Sequence, residues 1–526
     1  MKDKLFVVLL MAMAADNVMA HDEKKDVSGK EISTVGLEYT VEVQSSFSKC
    51  KTPLWLNANK YGLSSLDKSN GYVRGALERD ISCDDGKKFG YGYGVDVAVP
   101  YNYTSNFVVQ QAYMEGRWLH GTITIGSKEA PMNFKNNRLS SGSQTFGINA
   151  RPIPQVKLAL ADYWTVPLTK GWVQLKGHVS YGMLTDNSWQ HDFTQKNSKY
   201  ADNTLYHSKA GYIRIGKKDV ERYPFSVELG LEMATLFGGN SHQFTPDGKE
   251  TVLKGDKSFK AFWNAFVPGG KDVTDGENYK NAEGDMLGSW LLRLNYETSK
   301  WKVGLYADKF FEDHSAMFML DYDGYGSGEE WQKKKKNRYV LYDLKDIMLG
   351  ADLNLKKGRF LKNVVIEYLY TKYQSGPIYH DHTETIPDHI GGMDNYYNHN
   401  FYSGWQHWGQ VMGNPLYRSP IYNADGTINV EDNRFVAFHL GFDGDICRNT
   451  AYRVLATYQE GLGTYASPYI AERHNVSILV EAEYKFGWKN FSGWTIKGGY
   501  GMDFGGILGN NTGLQLTVAK KGVLGK

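Results

Sequence analysis

Residues 476–486 of this chain are VSILVEAEYKF. Apolar side chains occupy every second position, and Ser477, Glu481 and Glu483 lie between them. Period-two alternation is typical of a β-strand with one apolar and one polar face. The stretch has about eleven residues, enough for a tilted strand to cross a bilayer, whereas globular strands average nearer five or six. It therefore predicts a membrane-spanning strand with its apolar face toward lipid and its carboxylates toward a polar lumen.

The same alternation recurs along most of the chain. It is clear in Phe225–Met233 and Trp494–Phe504 and less perfect in Val173–Met183, Trp301–Phe310, Val364–Tyr370, Val436–Phe442 and Leu514–Val518. Short joins such as Glu297–Lys300 and Trp488–Phe491 alternate with long polar ones at 240–282 and 321–336. Short turns on one side and long loops on the other are typical of outer-membrane barrels. We therefore predict an all-β, closed antiparallel transmembrane β-barrel of roughly 16–20 strands.

The strand pattern is less clear in the segment after Val99 and at the C-terminus. The weak segments between Val99 and Leu168 fit either three strands or four. The chain ends Val523-Leu524-Gly525-Lys526, without the terminal aromatic residue common in such barrels. We expect the last strand to end near Lys520, with a short tail after it.

The N-terminus predicts export. Lys2 and Lys4 form a positive head, Leu5–Ala15 is an unbroken apolar run, and Val18–Ala20 is a small-residue cleavage site. This order is that of a secretory signal peptide, and the run is too short to span a bilayer as a helix. We predict a signal peptide at 1–20, a single barrel domain at 21–526 and a location in a Gram-negative outer membrane. The alternative is a buried N-terminal helix.

Composition excludes some classes of protein. The mean hydropathy of -0.48 and the lack of a long apolar run past residue 20 argue against transmembrane helices. With 60 basic and 58 acidic residues, no strong field points to nucleic acid. The 57 Gly and 36 Tyr fit a barrel with aromatic girdles, but a large soluble all-β protein would share this profile. Three Cys are too few for a disulfide framework, and a Cys50–Cys83 bridge stays open.

Two long stretches resemble a known family. The first is FFEDHSAMF at 310–318. The second runs from QSGPIY at 374–379, through DNYYN at 394–398 and SGWQHWG at 403–409, to GNPL at 413–416. Both are similar to the capsule assembly Wzi family. Supporting matches are NANKYGL at 57–63, FHLGF at 438–442, YRVL at 452–455 and GTY at 463–465.

The resemblance implies both a structure and a role. Members of this family are monomeric outer-membrane barrels of about eighteen strands whose polar lumen is plugged. Their proposed role is lectin-like, because they hold capsular polysaccharide at the cell surface and help to organise the capsule. For this chain it implies capsular or related polysaccharide as partner, in an outer membrane of lipid and lipopolysaccharide. The runner-up is a substrate-selective outer-membrane porin, which has the same barrel.

Aromatic side chains within the second stretch are candidates for sugar contact, because flat rings stack on sugar rings while nearby polar groups supply hydrogen bonds. The candidates for polysaccharide binding are Tyr396, Tyr397, Trp405 and Trp408, with Asp394, Asn395 and Gln406. The same rings would also suit a membrane-interface girdle or the packing of a plug. Lys333 and Lys334, in a run of four Lys, could hold an acidic glycan, although a solvated loop tip explains them equally well.

Other polar clusters have structural explanations. Glu312, Asp313 and His314 are expected to join a polar network of the lumen or plug rather than a catalytic site. His380 and His382 could meet one cation, but the surrounding sequence is typical of a polar loop. No Gly-x-Ser-x-Gly elbow or phosphate-cradling loop occurs, so we expect neither an enzyme nor a cofactor. An outer-membrane hydrolase is the third and weakest alternative.

Overall fold

The computed structural model describes residues 36–268, 273–275, 278–280, 284–312, 317, 320–321, 338–339, 346–374, 394–488 and 491–524. The predicted signal peptide at 1–20 lies outside them. Eighteen strands form the wall of a barrel. They are β1 Leu37–Ser48, β2 Ser69–Arg79, β3 Phe89–Tyr101, β4 Val108–Trp118, β5 Gly121–Ser127, β6 Gln155–Thr165, β7 Val173–Met183, β8 Tyr200–Ile215, β9 Phe225–Phe244, β10 Asp285–Glu297, β11 Trp301–Glu312, β12 Ile347–Leu355, β13 Asn363–Tyr370, β14 Phe435–Cys447, β15 Thr450–Gly463, β16 Pro468–Lys485, β17 Trp494–Gly505 and β18 Asn511–Leu524.

The barrel is closed, because β1 pairs antiparallel with both β2 and β18. Each other strand pairs antiparallel with its neighbours in the chain, so the wall is an up-and-down meander. A short strand, Glu250–Lys254, pairs with the far end of β9 and makes the sheet nineteen-stranded in total. The predicted barrel and its strand number are therefore confirmed. The segment between Val99 and Leu168, for which the sequence fits three strands or four, contains three further strands, β4 to β6.

The remaining regular elements are short. The helices are α1 Leu54–Asn57, α2 Trp189–Thr194 and α3 Phe259–Phe266, with 3-10 turns at Ile81–Asp84 and Pro420–Tyr422. Three small hairpins pair Val273–Asp275 with Asn278–Lys280, Leu320–Asp321 with Arg338–Tyr339, and Gln406–His407 with Gln410–Val411. Among the described residues, no helix is long and apolar enough to span a membrane.

The two faces of the wall follow the predicted alternation. In β9, Leu229 is exposed on the outer face while Glu228 and Glu232 are buried on the inner face. In β16, Val480 is exposed and Ser477 is buried. An apolar outer face and a polar inner face are what a bilayer and a hydrated lumen demand, because unpaired polar groups are costly in hydrocarbon.

The two ends of the barrel differ. Connections such as 119–120, 298–300 and 448–449 are short and lie at the end where β1 begins and β18 finishes, which we call the turn end. The long connections 49–68, 128–154 and 371–434 leave and rejoin the wall at the opposite end, the loop end. In outer-membrane barrels the short turns face the periplasm and the long loops face the exterior.

The structure differs from the expected end of the last strand and separates two of the cysteines. The last strand does not end near Lys520 but continues to Leu524, because β1 supplies backbone partners as far as Leu37. Cys50 and Cys83 are unpaired and exposed. Cys50 follows β1 at the loop end and Cys83 lies in the turn after β2, so the height of the wall separates them.

Candidate functional site

Three long connections fold into the lumen and fill its centre. We call the segments 49–68, 128–154 and 394–434 the plug. Their apolar side chains share one buried cluster with inward-facing residues of the wall. This cluster includes Trp55, Leu139, Trp405 and Tyr417 from the plug and Phe310, Val365 and Leu479 from the wall. The predicted plugged lumen is therefore present in the structure.

Polar side chains fix the plug to the wall. Lys135 Nζ lies 2.6 Å from Asp308 Oδ2 of β11, and both side chains are almost completely buried. Glu367 of β13 accepts hydrogen bonds from Ser141 N at 2.7 Å and from Tyr306 OH at 2.6 Å. A buried charge is tolerated only where it is paired and hydrogen-bonded, so each of these carboxylates holds its plug segment at one position.

Tyr396 and Tyr397, both predicted to contact sugar, lie inside the plug. Each is buried and packs edge-on against Phe310, with ring centroids 4.7 and 5.6 Å apart. Tyr397 N donates to Glu312 Oε1 at 2.5 Å, so Glu312 is a contact between wall and plug. Burial raises the pKa of both tyrosine hydroxyls well above the usual value. The two rings support the surface of the plug from within.

Trp405 and Gln406 are also buried. The indole of Trp405 stacks on Tyr206 of β8 at 6.1 Å, and its Nε1 donates to Thr145 O at 3.1 Å. Gln406 Oε1 accepts from Gly409 N at 2.8 Å, which closes the turn of the small hairpin that begins at Gln406. Both residues therefore shape the plug, and the structure places neither of them at the solvent surface.

Trp408 occupies a different position at the tip of the same hairpin. Its ring is only partly buried and lies beneath the Arg151 guanidinium, 4.2 Å from the ring centroid. Arg151 in turn donates to Ser105 Oγ at 3.1 Å and Thr104 Oγ1 at 2.9 Å, in the loop-end connection between β3 and β4. The cation orients the indole, which also packs against the buried cluster of Trp189, Tyr200 and Ile428, and Trp408 stays partly exposed.

His407 anchors this hairpin beside Trp408. Its Nδ1 lies 2.9 Å from Arg151 O, and its Nε2 lies 2.7 Å from Thr185 O and 3.2 Å from Thr185 N. Burial lowers the pKa of His407 to about 4, against the carbonyls of Arg151 and Thr185, which favour the protonated ring. The imidazole therefore acts as a structural link between two loops rather than as a proton carrier.

The other predicted site residues divide into two groups. Asn395 is exposed, and its Oδ1 accepts from Asn433 Nδ2 at 2.7 Å; Asp394 beside it is partly buried. Asp313, His314, Lys333, Lys334, His380 and His382 lie outside the described residues. Among the residues that the structure describes, no group of three or more His, Cys, Asp or Glu could hold a metal ion.

A cavity of about 600 Å³ runs along the inner face of β4 to β8. Its lining extends from Arg151 near the loop end to Asp85 and Asp162 near the turn end, with Trp405 of the plug on one side. Lys128 in the lining pairs with Glu115 at 2.8 Å, and Lys176 donates to Asn133 Oδ1 at 2.9 Å. The lumen therefore keeps a polar, charged space beside the plug.

Sequence patterns alone do not single out Lys135, Asp308 or Glu367. Many inward positions of the strands are polar, so alternation identifies the face of Asp308 but not its partner, 173 residues earlier. The only available signal is that Asp and Glu on a lumen-facing position need a compensating group.

Comparison with solved structures gives similar barrels. Wzi of Escherichia coli, described as an outer-membrane protein involved in group 1 capsule assembly and as a carbohydrate-binding β-barrel, has a TM-score of 0.53 and 10% identity, over 93% of this chain and 85% of that one. OccD3 (OpdP) of Pseudomonas aeruginosa has a TM-score of 0.43 and 10% identity, over 93% and 91%. OccAB4 of Acinetobacter baumannii has a TM-score of 0.42 and 8% identity, over 94% of this chain and 100% of that one. No family model and no curated protein matches the chain.

The likeness to Wzi shows that this chain has the fold of an outer-membrane β-barrel. At 10% identity it shows the fold alone. The exposed apolar outer face of the wall independently fits a location in the outer membrane.

Proposed function

We propose that this chain is an outer-membrane protein that binds and retains capsular or related surface polysaccharide and assists capsule assembly. The observation that carries the proposal is the plug, because a lumen filled by loops that are ion-paired to the wall presents a firm surface at the loop end. Wzi, which has a similar fold, is described as carbohydrate-binding, and the sequence motifs resemble its family. The function needs no cofactor, chemical step or nucleic acid, and a monomer suffices for it.

The contact surface that we propose is centred on Trp408. Its partly exposed side chain can stack on a sugar, and Asn395 and Asp394, in the same plug segment and next to Asn433 and Gln374, are proposed as separate polar contacts. The buried Tyr396, Tyr397, Trp405 and Gln406 then act by holding this surface in shape. Lys333 and Lys334 are proposed as further contacts for an acidic glycan.

Binding of purified protein to immobilised surface polysaccharide from the same cells tests this function. We expect Trp408→Ala to weaken binding by roughly tenfold, the effect of removing about 1.4 kcal/mol of contact. Trp118→Ala is the matched control, because Trp118 is 65% exposed at the turn end and should not matter. An equal loss of binding in both variants would mean that Trp408 is not part of the contact surface. A wild-type protein that does not bind would contradict the function itself.

One observation favours a second candidate, a substrate-selective channel. The cavity along β4 to β8 extends over much of the height of the wall and has a charged lining. Single-channel recording in a planar bilayer separates the two functions. Stepwise conductance whose ion selectivity changes with Lys157→Glu would support transport, because Lys157 lines the cavity. A silent wild-type protein would support the plugged, polysaccharide-binding barrel.

A further inference from the structure

Helix α3 lies on the outside of the barrel, although it belongs to a loop-end connection. Along β8 and β9, Tyr206 and Leu236 face the plug, so the intervening Leu205 and Phe237 face outward. Ala261 and Ala265 of α3 are buried against this outward pair. The part of the β9–β10 connection that contains α3 therefore folds over the outer wall, whereas the plug segments fold into the lumen.

Hydrogen bonds hold α3 in place at several points. Tyr181 OH, on the outer face of β7, donates to Phe262 O at 2.8 Å. Lys209 Nζ, on the outer face of β8, donates to Ala265 O at 3.0 Å and also to Phe266 O. The carbonyls at a helix C-terminus lack intrahelical partners and carry partial negative charge, so they suit an ammonium group. The helix also shields this ammonium group, which would otherwise face lipid.

The free side of α3 is strongly apolar. Phe259 is 86% exposed and Trp263 55%, and Phe266, whose ring also contacts His207 of the wall, is 36% exposed. Three large aromatic side chains on one short exposed helix form a patch that water does not favour. The patch continues the lipid-facing surface of the wall, because α3 is packed directly on Leu205 and Phe237 of that surface.

The height of α3 on the wall matches the edge of a bilayer. His207, whose ring lies 5.9 Å from that of Phe266, is eight residues before Ile215, where β8 ends. At a rise of about 3.3 Å per residue and a tilt of about 40°, this separation is roughly 20 Å along the barrel axis. The apolar band of such barrels is about 25 Å tall. The helix therefore lies near the upper edge of the band, where headgroups begin.

Charge around the helix fits an anionic surface. Lys254, Lys257 and Lys260 are all exposed in this segment, and Asp256 is the acidic residue among them. Basic residues beside an apolar helix face are typical of helices that lie in a membrane interface. Aromatic side chains prefer the same depth.

We propose that α3 is an interfacial helix whose aromatic face enters the outer leaflet of the membrane that holds the barrel. Phe259, Trp263 and Phe266 insert at the boundary between headgroups and acyl chains, and Lys254, Lys257 and Lys260 contact anionic headgroups. The inference rests on the barrel fold and is independent of the polysaccharide function.

Quenching by lipids brominated on their acyl chains tests the insertion. The full chain, with Cys50, Cys83 and Cys447 changed to Ser, is refolded into phosphatidylcholine vesicles carrying a bimane probe at one introduced Cys. We expect Phe259→Cys to be quenched at least half as strongly as Leu229→Cys, which faces lipid on β9. Thr251→Cys, exposed in the same connection, is the control that should be quenched little. Quenching at Phe259→Cys no stronger than at Thr251→Cys, with or without cross-linking to a second copy, overturns the proposal.

A second measurement tests the lysines. Replacing part of the phosphatidylcholine by phosphatidylglycerol should increase quenching at Phe259→Cys, and the added changes Lys254→Gln, Lys257→Gln and Lys260→Gln should remove that increase. Folding of each variant is checked by its heat-dependent shift in gel migration. An increase that persists without the lysines, or no increase in the parent, overturns the headgroup contact.

Discussion

Lys135 of the plug and Asp308 of the wall form an ion pair of 2.6 Å, with 1% and 0% of their side chains exposed. Gln144 N, farther along the same plug segment, also donates to Asp308 Oδ2 at 3.2 Å. Moving this segment would leave a charge buried without its partner, which costs far more than the pair itself contributes. The pair therefore selects one position for the segment within a lumen that could otherwise accept several.

Asp308→Asn should destabilise the barrel by about 3–5 kcal/mol, because it leaves the buried Lys135 ammonium without a counter-charge. Urea unfolding in detergent micelles, followed by tryptophan fluorescence, measures the change. Asp85→Asn is the control, since Asp85 pairs with Arg117 but its side chain is 68% exposed. An exposed pair contributes no more than about 1 kcal/mol. Similar losses in the two variants would contradict the anchoring role of Lys135 and Asp308.

Trp405→Ala should lower the free energy of unfolding by about 3–5 kcal/mol, because it removes a fully buried ring and leaves a cavity between plug and wall. Trp408→Ala should cost less than Trp405→Ala, since Trp408 is only partly buried. Thermal melting of the two variants compares them. A larger loss for Trp408→Ala would mean that its ring is structural and unsuited to contact sugar.

Gly441→Ala should destabilise the contact between plug and wall. A Cβ at Gly441 in β14 would collide with the carbonyl of Leu139 in the plug and lie 3.0 Å from its Cβ. Overpacking of this kind costs about 1–3 kcal/mol. Gly498→Ala in β17 is the matched control, because a Cβ there meets nothing within 4 Å. The difference between the melting temperatures of Gly441→Ala and Gly498→Ala measures the effect. Equal melting temperatures would contradict the close approach of Leu139 to Gly441.

The plug should also make stability depend on pH through Asp432. Burial raises the pKa of this carboxyl from 3.8 to about 7, against hydrogen bonds from Gly463 N and Gln459 Nε2 that favour the ionised form. An acid with a raised folded-state pKa is held neutral by the fold, so the free energy of unfolding should fall as pH rises from about 4 to about 7. Above pH 7 this contribution should be constant.

Asp432→Asn should remove that part of the pH dependence. Melting temperatures between pH 4 and pH 8 provide the measurement, and the variant should gain most relative to wild type above pH 7. Asp425→Asn, at an exposed position in the same connection, should leave the slope unchanged. Parallel curves for wild type and Asp432→Asn would rule out this carboxyl as the source.

The wall is predictable from sequence because each strand shows its two faces locally. Leu229 and Glu228 are adjacent, and their polarity alone assigns one to lipid and the other to the lumen. The predicted segment Val173–Met183 coincides with β7 for the same reason. The end of β18 is less predictable, because Leu524 is held by its pairing with Leu37 at the other end of the chain.

The plug and α3 are much less predictable. Trp405 is buried by contacts with residues such as Thr145, 260 positions away, so no local pattern distinguishes it from the partly exposed Trp408 three residues later. The aromatic segment FKAFWNAF of α3 stands out within a polar connection, but only the fold shows that it lies on the outer wall. Loop paths depend on such distant contacts, whereas strand faces do not.

Deletion of the gene, with capsule scored as cell-bound or released into the medium, tests the central claim most directly. If the chain retains polysaccharide, the deleted strain should still make it but release most of it, and wild-type protein should restore retention where Trp408→Ala does so poorly. A capsule that stays on the deleted cells in normal amount, together with reduced uptake of a small solute, would contradict retention and identify the barrel as a channel.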